Sequence, residues 1–149
     1  RPQDQDHSGG HQRRAQDAVW CRLLEEEGLQ TFCERWQRQP VLELSAEVPA
    51  AVAAAHAQSR LAHQARGLRW AFEQLGLGVM PAHWEALSAL ELPIQLMAGE
   101  RDQRFVALAR ELLPTLRAGR LTLAPNAGHN LVLERPELVT TTLLQGIAP

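Results

Sequence analysis

The chain has no lysine and no tyrosine, and aromatic residues fill only 5% of its 149 positions. All fifteen basic side chains are arginine. Genome composition is the plainest cause, yet any anionic ligand would then meet a planar fork of donors. Cysteine is scarce: Cys21 and Cys33 stand twelve apart in a stretch of helical pattern, with no metal spacing around them. They read as two reduced, partly buried thiols. No apolar run reaches membrane-spanning length and no signal-peptide pattern is present, so a cytoplasmic protein is expected by default. Charge of one sign is lacking too. A net charge of −2 argues against a nucleic-acid or anionic-membrane partner held by bulk electrostatics.

What is present is ordinary for a globular protein, with 45% apolar and 21% charged residues and enough length for one core. The chain opens on Arg1 rather than Met, and its first ten residues contain no strand. That start reads as an internal position of a longer protein. Residues 1 to 10, with Asp4, Asp6, Ser8, Gly9 and Gly10, read as a polar linker. His7 and His11 lie four apart near Asp4 and Asp6, a conceivable metal cluster, but no apolar face anchors the spacing and a solvated linker is the plainer account. No metal is expected.

From His11 to about Leu90 the pattern is helical and broken into short pieces. Ala15, Val19, Leu23 and Leu24 recur at helical spacing up to Gly28, a natural C-cap. Further pieces run from Leu29 to Trp36, from Pro49 through Arg60 and Leu61, from Leu68 to Leu75, and from Pro81 to Leu90. Beyond Leu92 the texture changes. Two short apolar runs, Ile94 to Ala98 and Leu121 to Ala124, alternate with helical stretches from Phe105 to Leu116 and Pro136 to Gly146. That alternation predicts an α/β fold with parallel strands, divided into a helical region over 1–90 and a β/α part over 91–149. Two parallel strands need cover on both faces and edges, so further strands are expected from upstream.

Each apolar run is followed by a loop with chemistry in it: Gly99-Glu100-Arg101-Asp102 after the first, Ala127-Gly128-His129-Asn130 after the second. In open α/β sheets, ligands sit beyond the carboxyl ends of the strands. A histidine acts as a general base when its second ring nitrogen is held, and an aspartate on a neighbouring loop holds it. Taken singly, Asp102 could be an Asx-turn residue and His129 a loop histidine satisfied by backbone. Jointly, at two successive strand ends, they read as catalytic.

These residues carry a resemblance. Leu92-Pro93-Ile94 through Asp102, Pro125 through Asn130, and Glu134-Arg135-Pro136-Glu137 resemble the C-terminal part of α/β-hydrolase enzymes. The helical region before them then looks like the cap such enzymes insert after an earlier strand. Within the superfamily, Arg13-Arg14-Ala15-Gln16-Asp17, Arg35 through Val41, and Gln58-Ser59-Arg60-Leu61 are similar to the 2-succinyl-6-hydroxy-2,4-cyclohexadiene-1-carboxylate synthases of menaquinone biosynthesis. The resemblance implies a lyase that eliminates pyruvate from a polycarboxylate substrate, with neither metal nor organic cofactor. It places Arg13 and Arg60 against substrate carboxylates, where bidentate arginine fits, and Trp36 in the pocket wall. The plainer readings are exposed helix arginines and a cap-core tryptophan. Gln37 stands where some members have tyrosine, which removes a hydroxyl contact.

One part of the family pattern is missing. The nucleophile elbow reads Gly-x-Ser-x-Gly, and none of Ser8, Ser45, Ser59 and Ser88 has that context. The resemblance therefore implies a C-terminal fragment, inactive alone, whose absent partner is the N-terminal half of the same fold with its serine and oxyanion hole. Two other readings stand beside it: a capped esterase or carbon–carbon bond hydrolase of the same superfamily, and a non-catalytic module derived from one.

Overall fold

The computed structural model describes residues 6–147, with side chains from 10 to 146. Its elements run α1 (Asp6–Glu26), α2 (Gly28–Trp36), α3 (Ala50–Arg60), α4 (Ala65–Leu75), α5 (Trp84–Ala89), β1 (Ile94–Gly99), α6 (Gln103–Leu112), β2 (Gly119–Ala124), α7 (Leu131–Glu134) and α8 (Pro136–Ile147). Short 3₁₀ turns at Pro40–Leu42 and Leu113–Thr115 complete them. Two compact units result. One comprises the described residues up to Gln37 with Ala55–Ala82; the other comprises Arg38–Ala54 and the residues from His83 onward. The boundary falls inside α3, and segment 38–54 groups with the residues from His83 onward although its sequence texture groups it with the helices.

In the helical unit, Leu23, Leu24, Phe32 and Cys33 are buried, with Trp20, Trp36, Leu61, Leu68 and Phe72 packed around them. The aromatics make this core specific. Trp20, Phe32, Trp36 and Phe72 meet with ring centroids 5.0 to 6.0 Å apart, mostly edge to face, and Phe32 stacks on Trp36. Each such pair contributes roughly 0.5–1.5 kcal/mol beyond its area burial.

The linker expected over residues 1 to 10 is corrected in part. Residues 6 to 10 form the first turns of α1, whereas 1 to 5 lie outside the described residues. Glycine pairs cost a helix about 1 kcal/mol per residue relative to alanine, so a tertiary contact must offset the cost. That contact is Gly78, where a Cβ would stand 2.9 Å from the Arg14 nitrogen and 3.1 Å from the Gly10 carbonyl oxygen. Arg14 Nε also donates to the Gly78 carbonyl (2.6 Å). Close backbone approach, invisible to local pattern, keeps the helix going through Gly10.

In the second unit, β1 and β2 pair in parallel from Ile94↔Gly119 to Gly99↔Ala124. The register brings the two strand ends level, so the loops that follow them start side by side. Among the described residues no helix is long and apolar enough to cross a membrane, and no group of three or more His, Cys, Asp or Glu could hold a metal ion. Of the conceivable N-terminal cluster, Asp4 and the side chains of Asp6 and His7 lie outside the described residues.

Candidate active site

The site is built where β1 and β2 end. Asp102 is the N-cap of α6, and its Oδ1 accepts from the Phe105 backbone N–H (3.3 Å). Capping fixes the carboxylate with one oxygen spent on the helix. The other, Oδ2, lies 2.7 Å from His129 Nδ1. The Asp102 side chain is 9% exposed and that of His129 37%, so the acid is sequestered while the imidazole stays reachable. With Nδ1 held, Nε2 is the ring nitrogen left to exchange a proton with a reacting group. Phe105 packs its ring 4.7 Å from the imidazole, tilted by 54°. One residue thus supplies an N–H to Asp102 and an apolar wall to His129.

The two loops are stitched to each other through backbone and side chains. Glu100 N–H donates to Ala124 O and Arg101 N–H to Ala127 O, while Asn126, at positive φ, donates its N–H to Glu100 Oε2 (3.3 Å). Glu134 is buried beneath the histidine loop and accepts from the Gly128 N–H at 2.8 Å. Arg135 donates to the Pro125 carbonyl (3.1 Å) and to Glu47 (2.8 Å), tying the same loop to the segment after the 3₁₀ turn. Asn130 caps α7 by accepting from the Leu133 N–H.

The other three sequence candidates lie in the helical unit. Arg13 Nε is 3.3 Å from Oδ1 of the buried Asp17, an i,i+4 pair on α1. Arg60 Nη2 donates to His56 Nε2 (3.0 Å), and burial followed by the Arg60 charge holds the His56 imidazole below its ordinary value. Trp36 sits in the aromatic cluster described above. The structure therefore joins Asp102 to His129, and it places Arg13, Trp36 and Arg60 in the other unit. Ser45, Ser59 and Ser88 direct their hydroxyls to local backbone groups, at Glu47 N–H, His56 O and Glu85 O respectively. Sequence reasoning missed the part played by Phe105 and by Glu134. A periodic helix start hides the first, and no local pattern distinguishes a buried glutamate from a surface one.

No protein-family model matches the chain. It is 35% identical over 135 residues to 2-succinyl-6-hydroxy-2,4-cyclohexadiene-1-carboxylate synthase of Salmonella typhimurium, which covers 90% of this chain and 50% of the relative. Among solved structures, MenH from S. aureus superposes with a TM-score of 0.90 at 24% identity, over 95% of this chain and 53% of that one. The fold is that of the α/β-hydrolases. A thermophilic esterase from Thermogutta terrifontis shares it at a TM-score of 0.71 and 21% identity, over 90% of this chain and 49% of its own. The chain spans about half the length of the curated relatives it matches, and what it carries is the C-terminal part of the α/β-hydrolase fold.

Proposed function

We propose that the chain is the acid–base half of a 2-succinyl-6-hydroxy-2,4-cyclohexadiene-1-carboxylate synthase, a cytoplasmic lyase that expels pyruvate by elimination. The observation carrying this is the 2.7 Å contact of Asp102 with His129 at neighbouring strand ends, in a chain similar to enzymes of that name. In this reading His129 Nε2 takes the proton of a serine hydroxyl, and Asp102 orients the ring and stabilises the imidazolium. The serine oxygen removes a proton from a substrate carbon, and the freed electron pair forms the new double bond as the adjacent carbon–oxygen bond breaks. Pyruvate leaves as its enolate, which takes up the proton held by the His129 imidazolium. Backbone donors of an oxyanion hole stabilise the charge that develops.

Serine and oxyanion hole come, on this proposal, from a preceding half of the same fold. Val132, Leu143 and Leu144 on α7 and α8 are each more than half exposed, which gives such a half apolar surface to bury. Arg13 and Arg60 are proposed to bind the carboxylates of the substrate, with Trp36 bordering them. The test is pyruvate release from the synthase's substrate by a full-length protein containing this chain, beside hydrolysis of simple esters. Pyruvate release with no ester turnover supports the lyase. Ester hydrolysis alone would establish the second reading, a capped esterase, which the likeness to the Thermogutta enzyme favours.

A further inference from the structure

Glu134 is the most deeply buried charged side chain near the pair, and no reaction step accounts for it. Its side chain is 0% exposed. A carboxylate taken out of water is costly unless its oxygens find donors. Glu134 Oε2 finds two, one from each loop: the Gly128 N–H at 2.8 Å and Arg101 Nη2 at 3.3 Å. Each donor is the immediate chain neighbour of a reacting residue, since Gly128 precedes His129 and Arg101 precedes Asp102. Oε1 is buried with no hydrogen-bond partner, and a Cβ on Gly128 would stand 2.9 Å from it. The missing side chain at 128 is therefore what lets the carboxylate come this close.

We propose that Glu134 is a positioning residue whose single oxygen Oε2 ties the histidine loop to the aspartate loop and so sets the contact between His129 Nδ1 and Asp102 Oδ2. A plain stability role is the competing account. It predicts that removing Glu134 weakens the fold and leaves the imidazole, in molecules still folded, bonded as before. The positioning role predicts a change in the ring itself. A free neutral imidazole chooses between two tautomers, and a carboxylate at Nδ1 holds it in the Nδ1–H form. If the loops separate, that preference goes.

The proposal rests on reading Asp102 and His129 as the proton-transfer pair, yet its test needs no substrate, so its failure is separable from failure of the synthase reading. Imidazole ¹⁵N shifts of His129 are measured on the full chain at a pH where the ring is neutral. The wild type should show Nδ1–H. Glu134→Ala should lower the ratio of Nδ1–H to Nε2–H roughly tenfold, the scale of one charge-assisted hydrogen bond. Glu134→Gln keeps an oxygen for the Gly128 N–H and should recover most of the wild-type ratio. A wild-type ratio in Glu134→Ala, whatever its melting temperature, would overturn the proposal. Should Glu134→Ala not fold, Arg101→Met carries the same test from the half-exposed side of the bridge. An unchanged ratio there would overturn it equally.

Discussion

Gly99 and Gly128 lie in backbone contact: a Cβ built on Gly99 would overlap the Gly128 carbonyl oxygen. The last residue of β1 is thus the surface on which the histidine loop rests. Gly99→Ala must push that loop away, and overpacking of this kind costs about 1–3 kcal/mol. Gly67, near the start of α4, offers the opposite case, because nothing stands within 4 Å of its Cβ position. Gly67→Ala should stabilise by about 0.4–1 kcal/mol. Urea unfolding of both variants checks the pair of signs, and equal effects would contradict the contact.

Asp102 has two duties that substitution can separate. Asparagine caps helices about as well as aspartate, but its amide cannot stabilise an imidazolium. In the full-length protein, Asp102→Asn should lose turnover by on the order of 10³- to 10⁴-fold, by analogy with the serine-protease triad. Its folding stability should fall by no more than about 1.5 kcal/mol, the scale of one hydrogen bond. Asp102→Ala should lose the same activity and about 1 kcal/mol more stability, because the Phe105 N–H then has no acceptor. Retained turnover in Asp102→Asn would favour the non-catalytic module.

These two loops were also the most legible part of the sequence, and the reason is physical. Short apolar runs ended by Gly99 and Ala124 announce buried parallel strands, and parallel pairing sets their ends level. Two polar residues just past two such ends must then be near each other. The strand edges were less plain: β2 begins at Gly119, two residues before its apolar run, because pairing with Ile94 extends it. α1 was hidden at its start by glycines that a distant backbone contact at Gly78 supports. Glu134 was hidden because burial of a charge depends on donors from two loops that only tertiary structure assembles.

The two thiols differ in access. Cys33 is buried against the aromatic cluster, whereas Cys21 is only partly covered. Burial pushes both above the ordinary thiol value; for Cys21 the nearby Glu73 adds to the rise and Arg69 opposes it. Because the thiolate is the reacting form, both should alkylate with iodoacetamide more slowly than a small free thiol, Cys33 more slowly than Cys21. Mass spectrometry of a timed labelling reaction gives the order. Faster labelling at Cys33 would mean that α2 opens more readily than this packing allows.

His56 should make the fold sensitive to mild acid. Burial is the main cause of its lowered value, and the Arg60 guanidinium adds to it. That guanidinium can only donate, so the bond at 3.0 Å requires Nε2 to be unprotonated. A folded-state value below the unfolded 6.5 means that the unfolded chain binds more protons between the two. Stability contributed by this residue is complete above 6.5 and declines as pH falls from there through the lower folded value. Glutamine keeps an oxygen to accept from Arg60 and does not titrate. The urea midpoint of the wild type should therefore drop more steeply below pH 6.5 than that of His56→Gln, with the two curves parallel at higher pH. Identical slopes in acid would show that His56 takes up its proton as readily in the folded chain as in the unfolded one, and would contradict the bond from Arg60.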